Sequence, residues 1–297
     1  MPNAYCRKLT RENPGLIVIL LDGSNSMNDP WSNSGSSLAE GAAFALNRTL
    51  RDLALNACYN AEDGTRNYMD VAVLTYGTEM GDGQGVEWTF GKLSQPSNGY
   101  SKATDWVPAF LRQKKTDRGT LPIWIEPHAV GWTPMCKAFN QAAQVVKQHT
   151  SDYPDSFPPI VINITDGIPT DHDDDWKQFE RAAEKITSES TSDGKALLFN
   201  IHIDASGQEN TVLFPDSPPQ HSQYAMHLGR ISSVIPANMV RLANEKLGME
   251  ITEAALGYCL NADMQQLSAF LQIGTYVAPQ GNAPQPDTSE QQTPLEV

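Results

Sequence analysis

Three apolar stretches of this chain run without alternation, and several others repeat at helical spacing. Leu16 to Leu21 (LIVILL), Ile160 to Thr165 within PIVINITDG, and Ala196 to Ile203 (ALLFNIHI) are near-continuous apolar runs. That pattern suits strands covered on both faces of a parallel sheet. Val71 to Tyr76 forms a further strand. Between the first and that one, Ala42, Ala43, Leu46, Leu50, Leu53 and Ala57 recur every three to four positions and predict a helix from Leu38 to about Tyr59.

The alternation continues along the chain. Helices are predicted from Thr133 to His149, from Asp174 to about Ser188, around Ala237 to Leu247, and from Asp263 to about Ile273, with a short strand near Gly257 to Leu260. Residues 78–127 break the rhythm: GDGQG reads as a turn and VEWTF as a short strand, and the rest lacks a period, so the segment reads as an insertion on the scaffold. From about Ala278, Pro, Gln and Thr dominate, which predicts a disordered tail over 278–297. The organisation expected is an N-terminal segment 1–14, a domain 15–277, and that tail.

Strands alternating with helices through right-handed crossovers imply an α/β fold: a doubly wound, mainly parallel central sheet with helices on both faces. In such sheets ligands sit beyond the carboxyl ends of the strands, where the winding order reverses and loops from neighbouring strands converge. Two strands end there in aspartate, at Asp22 and at Asp166.

Charge narrows the partners. With 35 acidic against 21 basic residues the formal net charge is −14, so the molecule repels phosphate backbones and anionic headgroups, and neither nucleic acid nor membrane is an expected partner. The four cysteines, Cys6, Cys58, Cys136 and Cys259, form no CxxC pair, which argues against a zinc site or a disulfide framework and favours reduced thiols. The polar start of the chain and the shortness of its apolar runs predict a soluble, cytoplasmic protein.

The loop after the first strand reads Asp22-Gly23-Ser24-Asn25-Ser26. An acid and two hydroxyls can point into one concavity if the backbone curls around it, and Gly23 eases that curl. Carboxylate and hydroxyl oxygens suit a hard cation such as Mg²⁺, which takes about six oxygens and usually keeps several waters. Mn²⁺ and Ca²⁺ are the alternatives.

At these residues the chain resembles the von Willebrand factor type A domains, whose metal-ion-dependent adhesion site has the pattern DxSxS, a distant Thr and a distant Asp. Asp22, Ser24 and Ser26 match DxSxS, Thr133 in GWTPM matches the threonine, and Asp166 in TDG matches the last aspartate. The chain departs from the family in Asn25, where many members have Gly, and in Trp132, which replaces a common Gly. The resemblance implies that Ser24, Ser26 and often Thr133 touch the metal directly, that Asp22 and Asp166 act largely through water, and that one position stays open. A cation with neutral direct ligands keeps much of its charge and can take a carboxylate from another molecule. The resemblance therefore implies a non-enzymatic module that binds a Glu or Asp of a protein partner. The late segments ISSVIPANM and GYCLNADMQQLSAFLQIGT resemble the small bacterial tellurite-resistance-associated members, which often accompany a protein kinase and a metal-dependent phosphatase in signalling or stress systems.

Other residues have plainer readings. Asp171 to Asp175 (DHDDD) reads as helix-starting acids favoured by the dipole rather than a second cation site. Asp82 in GDG reads as a turn rather than a calcium loop. His202 reads as a core or face residue rather than a ligand. His128 and Trp132 flank the Thr133 loop as candidate surface residues, and Trp31 is a candidate rim contact that could equally pack on its own loop. A phosphohydrolase built on Asp22 is the enzymatic alternative, but it needs a second carboxylate two residues on, where Ser24 stands, and no GxSxG, P-loop or HExxH appears. A structural subunit whose metal only rigidifies loops, with binding done by residues 78–127, is the third.

Overall fold

The computed structural model describes residues 4–31, 35–78, 83–117, 119–203, 211–220 and 222–261. Its centre is a sheet of seven strands: β1 (Gly15–Asp22), β2 (Met69–Thr78), β3 (Gly85–Trp88), β4 (Ile160–Thr165), β5 (Leu197–His202), β6 (Val212–Leu213) and β7 (Tyr258–Leu260). The spatial order is β6-β7-β5-β4-β1-β2-β3. The five inner strands are parallel, and β3 and β6 close the two edges antiparallel. Among the described residues, five helices longer than two turns accompany them: α1 (Leu38–Leu53), α2 (Met135–Asp152), α3 (Trp176–Thr187), α4 (Gln223–Ile231) and α5 (Ala237–Leu247). The doubly wound α/β architecture is as the sequence pattern predicts.

The unbroken apolar runs are explained by burial on both faces. Every residue of β1 and β4 is buried. Successive side chains of a strand point to opposite faces, so Ile17, Ile19 and Leu21 join one core with Leu38, Ala42, Leu46 and Leu50 of α1. Leu16, Val18 and Leu20 join a second with Phe139, Ala142 and Val146 of α2 and Phe179 of α3. Two cores on either side of one sheet set β1 rigidly at the centre.

Local chemistry sets the helix ends. Ser37 and Glu40 form a reciprocal capping box at α1, with Glu40 N donating to Ser37 Oγ at 3.2 Å and Ser37 N donating to Glu40 Oε2 at 2.9 Å. α1 itself ends at Leu53 and passes into a wider π turn over Ala54–Cys58, so only the last part of the helix predicted to Tyr59 changes form. α3 begins at Trp176 rather than Asp174, because Asp173 and Asp174 hold φ of 48° and 55°, outside the helical region. α4 was not predicted.

Residues 85–127 share the core of the scaffold. β3 adds to the main sheet beside β2, a helical turn spans Ala103–Trp106, and Arg112–Thr116 pairs with Gly119–Ile123 as a hairpin. Phe90, Trp106, Trp124 and Ile125 are buried in the same core as α1. Asn47, buried on α1, binds this segment by its whole amide. Its Oδ1 accepts from Trp124 N at 2.7 Å and Ile125 N at 3.0 Å, and its Nδ2 donates to Ile125 O at 2.8 Å.

The predicted helix from Asp263, the predicted tail from Ala278 and the turn at Asp82 lie outside the described residues. Among the described residues, no helix is long and apolar enough to cross a membrane. All four cysteines are free, and Cys58, Cys136 and Cys259 are buried.

Candidate metal centre

The winding order reverses between β1 and β4: the chain passes from β1 through α1 to β2 on one side, and β4 lies on the other. The register pairs Leu21 of β1 with Ile164 of β4, so the strands end level and their loops open side by side. Asp22 closes β1 and Asp166 follows β4.

The first loop curls back on the carboxylate that precedes it. Ser24 N donates to Asp22 Oδ1 at 2.8 Å, and the Ser24 and Ser26 hydroxyls lie 3.1 Å apart. Both hydroxyls point to the second loop, with Ser26 Oγ 3.0 Å and Ser24 Oγ 3.5 Å from Asp166 Oδ1. Gly23 is needed here for space rather than for an unusual backbone angle. A Cβ at Gly23 would come within 2.9 Å of His128, Thr75 and the Tyr76 carbonyl.

A third loop is stapled against the first by backbone bonds. Val130 N and Gly131 N donate to Gly23 O at 2.8 and 3.2 Å, and Asn25 N donates to Gly131 O at 2.8 Å. Thr133 thereby enters the cluster. A Cβ at Gly167 would lie 3.1 Å from Thr133 Oγ1 and 3.8 Å from Asp22 Oδ2, so these two oxygens border the same small space. Thr133 is also tied to the second loop, since Thr133 N donates to Thr170 Oγ1 at 3.1 Å and Thr170 N donates to Thr133 O at 2.9 Å. The structure therefore brings Asp22, Ser24, Ser26, Thr133 and Asp166 together from three separate loops.

Two participants escaped the sequence reading. Thr165, the last residue of an apolar strand, donates its hydroxyl to Asp22 Oδ2 at 2.6 Å, a charge-assisted distance. Its only signal was a hydroxyl in a run otherwise made for a core. Asp29, beyond the first loop, adds its charge to the field at Asp166.

The electrostatics are those of a site short of positive charge. Burial, then repulsion from Asp166, pushes the Asp22 carboxyl up to about 7, against the opposing hydrogen bonds from Thr165 and Ser24. Burial also pushes Asp166 up to about 6, with the Ser26 hydroxyl opposing and Asp29 adding to the rise. Among the described residues neither carboxylate is ion-paired to a Lys, Arg or His. Three hydroxyls and two carboxylates are hard oxygen donors, so the residues present fit a hard divalent cation. Among the described residues no three His, Cys, Asp or Glu side chains gather as a metal-holding group.

The neighbouring candidates sort themselves by burial. Trp31 is buried and its ring packs on Gly41 of α1, so it is a packing residue and not a rim contact. His128 is half-buried against Gly23, with its Nε2 enclosed and unpartnered among the described residues. Trp132 is 58% exposed. His202 is buried, with Nδ1 3.1 Å from the Tyr258 hydroxyl. In the acidic run, Asp171 caps α2, accepting from Cys136 N at 3.0 Å and Lys137 N at 2.8 Å, and Asp175 caps α3 by accepting from Lys177 N at 2.9 Å. The first of these bonds reaches across to another helix, which the sequence alone did not suggest.

Fold and site together define an α/β protein with a hydroxyl and carboxylate cluster at the switch point of a doubly wound sheet. No protein-family profile matches the chain, and no curated protein matches it. Solved structures similar to it include proximal thread matrix protein 1 from the mussel byssus, at 15% identity and TM-score 0.45, over 92% of this chain and 49% of that one. The same mussel protein with a zinc-occupied MIDAS motif is similar at 16% identity and TM-score 0.32, over 66% and 37%. The PilB minor pilin from Streptococcus sanguinis is similar at 11% identity and TM-score 0.41, over 88% and 60%. The chain spans about half the length of the mussel protein. These TM-scores are low, so the fold assignment rests on the strand order and register given above.

Proposed function

We propose that the chain is a von Willebrand factor type A domain and that Asp22, Ser24, Ser26, Thr133 and Asp166 hold one divalent cation, through which the protein binds a Glu or Asp of a partner protein. The observation that carries this reading is the meeting of two uncompensated, largely buried carboxylates with three hydroxyls at one switch point. The cation supplies a Lewis-acidic contact for an incoming carboxylate. The chain's own residues hold that contact in place: Thr165 and the Ser24 amide fix the Asp22 carboxylate.

By availability together with ligand hardness the proposed cation is Mg²⁺, with Mn²⁺ and Ca²⁺ as the alternatives. The domain runs over 15–277, with 78–127 as an elaboration of the scaffold anchored by its tryptophans. The setting is a cytoplasmic one, beside a kinase and a phosphatase in a stress or signalling system, as the resemblance to the tellurite-resistance-associated proteins implies. The role is binding rather than catalysis.

Thermal unfolding in EDTA and in millimolar Mg²⁺ tests the site, because a ligand that binds only the folded state stabilises it, by about 2.7 kcal/mol at a hundredfold excess over Kd. The wild type is expected to gain stability with Mg²⁺ and Asp22→Ala to gain none. Equal melting of the wild type in EDTA and Mg²⁺ would sink the metal reading.

A further inference from the structure

Six large apolar side chains are exposed among the described residues: Tyr59, Leu111, Val130, Trp132, Ile168 and Val234. Three of them stand at the candidate metal centre. Val130 and Trp132, 44% and 58% exposed, belong to the loop that carries Thr133, and Ile168, 57% exposed, lies two residues beyond Asp166. A polar cluster thus has an apolar collar on two of the three loops that build it. Exposed apolar groups that share a surface with a polar cluster mark interaction sites.

Trp132 is held in place. Its amide donates to Gly83 O at 2.9 Å, and a Cβ at Gly83 would lie 2.9 Å from Trp132 Cδ1, so the indole rests on a glycine that leaves it room. Behind it, a Cβ at Gly77 would lie 2.2 Å from the Trp132 carbonyl and one at Gly131 would lie 2.0 Å from Gly77 O, so both positions need glycine for this loop to pack against β2. Large exposed aromatic side chains are among the residues that dominate interface energies.

We propose that Trp132, with Val130 and Ile168, selects the residue beside the metal-bound carboxylate, so that the partner presents an acidic side chain flanked by a bulky aliphatic or aromatic one. This rests on the metal-dependent reading above and adds a specificity to it. The carboxylate meets the cation, and the adjacent apolar side chain covers the indole, within one side chain's reach. An acidic segment flanked by small polar residues satisfies the cation and leaves the collar wet.

The test uses the full chain and short synthetic peptides of glycine and serine with one central glutamate, flanked on both sides by leucine or by serine, and a leucine-flanked peptide with glutamine at the centre. Binding is followed by NMR shifts, which register millimolar affinities, in Mg²⁺ and in EDTA. The leucine-flanked glutamate peptide is expected to bind about tenfold tighter than the serine-flanked one, the size of one well-covered aliphatic side chain. In Trp132→Ser that ratio falls towards one while the Mg²⁺-dependent thermal shift stays, and Ile168→Ser lowers it less. Equal, EDTA-sensitive binding of both glutamate peptides overturns the collar and leaves the metal reading intact. Binding of the glutamine peptide in EDTA as tight as that of its glutamate counterpart in Mg²⁺ overturns both, and so does no binding by any peptide.

Discussion

Two buried aspartates stand at opposite ends of the same sheet, and they solve the same problem differently. Asp22 lies at the carboxyl end of β1 and Asp70 near the amino end of β2, both with no exposed surface. Burial raises both carboxyls above their ordinary range. Asp70 faces a base within the fold: His149 Nε2 of α2 sits 3.6 Å from Asp70 Oδ2, is itself fully buried, and opposes the rise that burial imposes on the carboxyl. Tyr100 and Tyr153 pack their rings on that imidazole, at 5.1 and 5.0 Å. Asp22 has hydrogen-bond donors and a second carboxylate beside it, and among the described residues no Lys, Arg or His is paired with it. At the amino end of the sheet a side chain of the fold opposes the buried acid's shift, and at the carboxyl end a neighbouring carboxylate adds to it.

The largest effect expected from this contrast is at the amino end. Removing one partner of a buried pair leaves the other uncompensated, so His149→Leu is expected to cost about 3–5 kcal/mol in urea unfolding. Adding Asp70→Asn to it should recover part of that loss, since the pair is coupled. Unchanged stability in His149→Leu would mean that the fold does not depend on the His149–Asp70 contact, and the contrast between the two ends would fall.

A smaller effect is expected at the carboxyl end, and it depends on pH. Asp22 at about 7 and Asp166 at about 6 both sit above the ordinary value of 3.8. A raised acid takes up its proton more readily in the folded state, so in the metal-free protein stability from these groups is greatest at low pH and is lost as pH climbs from about 4 to about 7. A cation competes with those same protons. Apparent Mg²⁺ affinity is therefore expected to rise between pH 5 and about 7.5 and to level off above, as read by calorimetric titration at several pH values. An affinity flat across that window would mean the carboxylates are already ionised and the carboxyl end is not short of positive charge.

The smallest effect is at Asp171, which caps α2 and so connects the second loop to the third. Asp171→Ala removes two charge-assisted bonds to helix amides and is expected to cost about 1 kcal/mol, with a weakened Mg²⁺ shift because Thr133 begins the turn that leads into α2. A thermal scan with and without Mg²⁺ separates the two contributions. A stability loss with an unaltered Mg²⁺ shift would confine Asp171 to the helix.

Legibility in the sequence followed burial. β1 and β4 could be read almost to the residue because a strand covered on both faces is apolar along most of its length. The segment 85–127 could not, because its core contributions, Phe90, Trp106 and Trp124, come singly from turns and edges at no regular spacing. α4 was missed behind a proline-rich approach whose signals are those of a loop. At the site, Ser24, Ser26 and Asp22 were visible as neighbours in one loop, whereas Thr165 was hidden by its apolar strand and Trp31 stayed open between a rim contact and a packing residue until α1 was packed against it.

What the sequence determined by itself was local: which runs are buried on both faces, which residues end them, and which oxygen donors stand in the first loop. These follow from periodicity and side-chain chemistry, which act over a few residues. Only the tertiary structure decided that three loops meet, that Asp22 is buried beside Asp166 with no Lys, Arg or His among the described residues paired to either, and that Trp132 and Ile168 stay exposed while Trp31 packs on α1. Those outcomes depend on the order and register of strands separated by more than a hundred residues, and the energies that fix them, desolvation and charge repulsion, exist only once the groups are packed together.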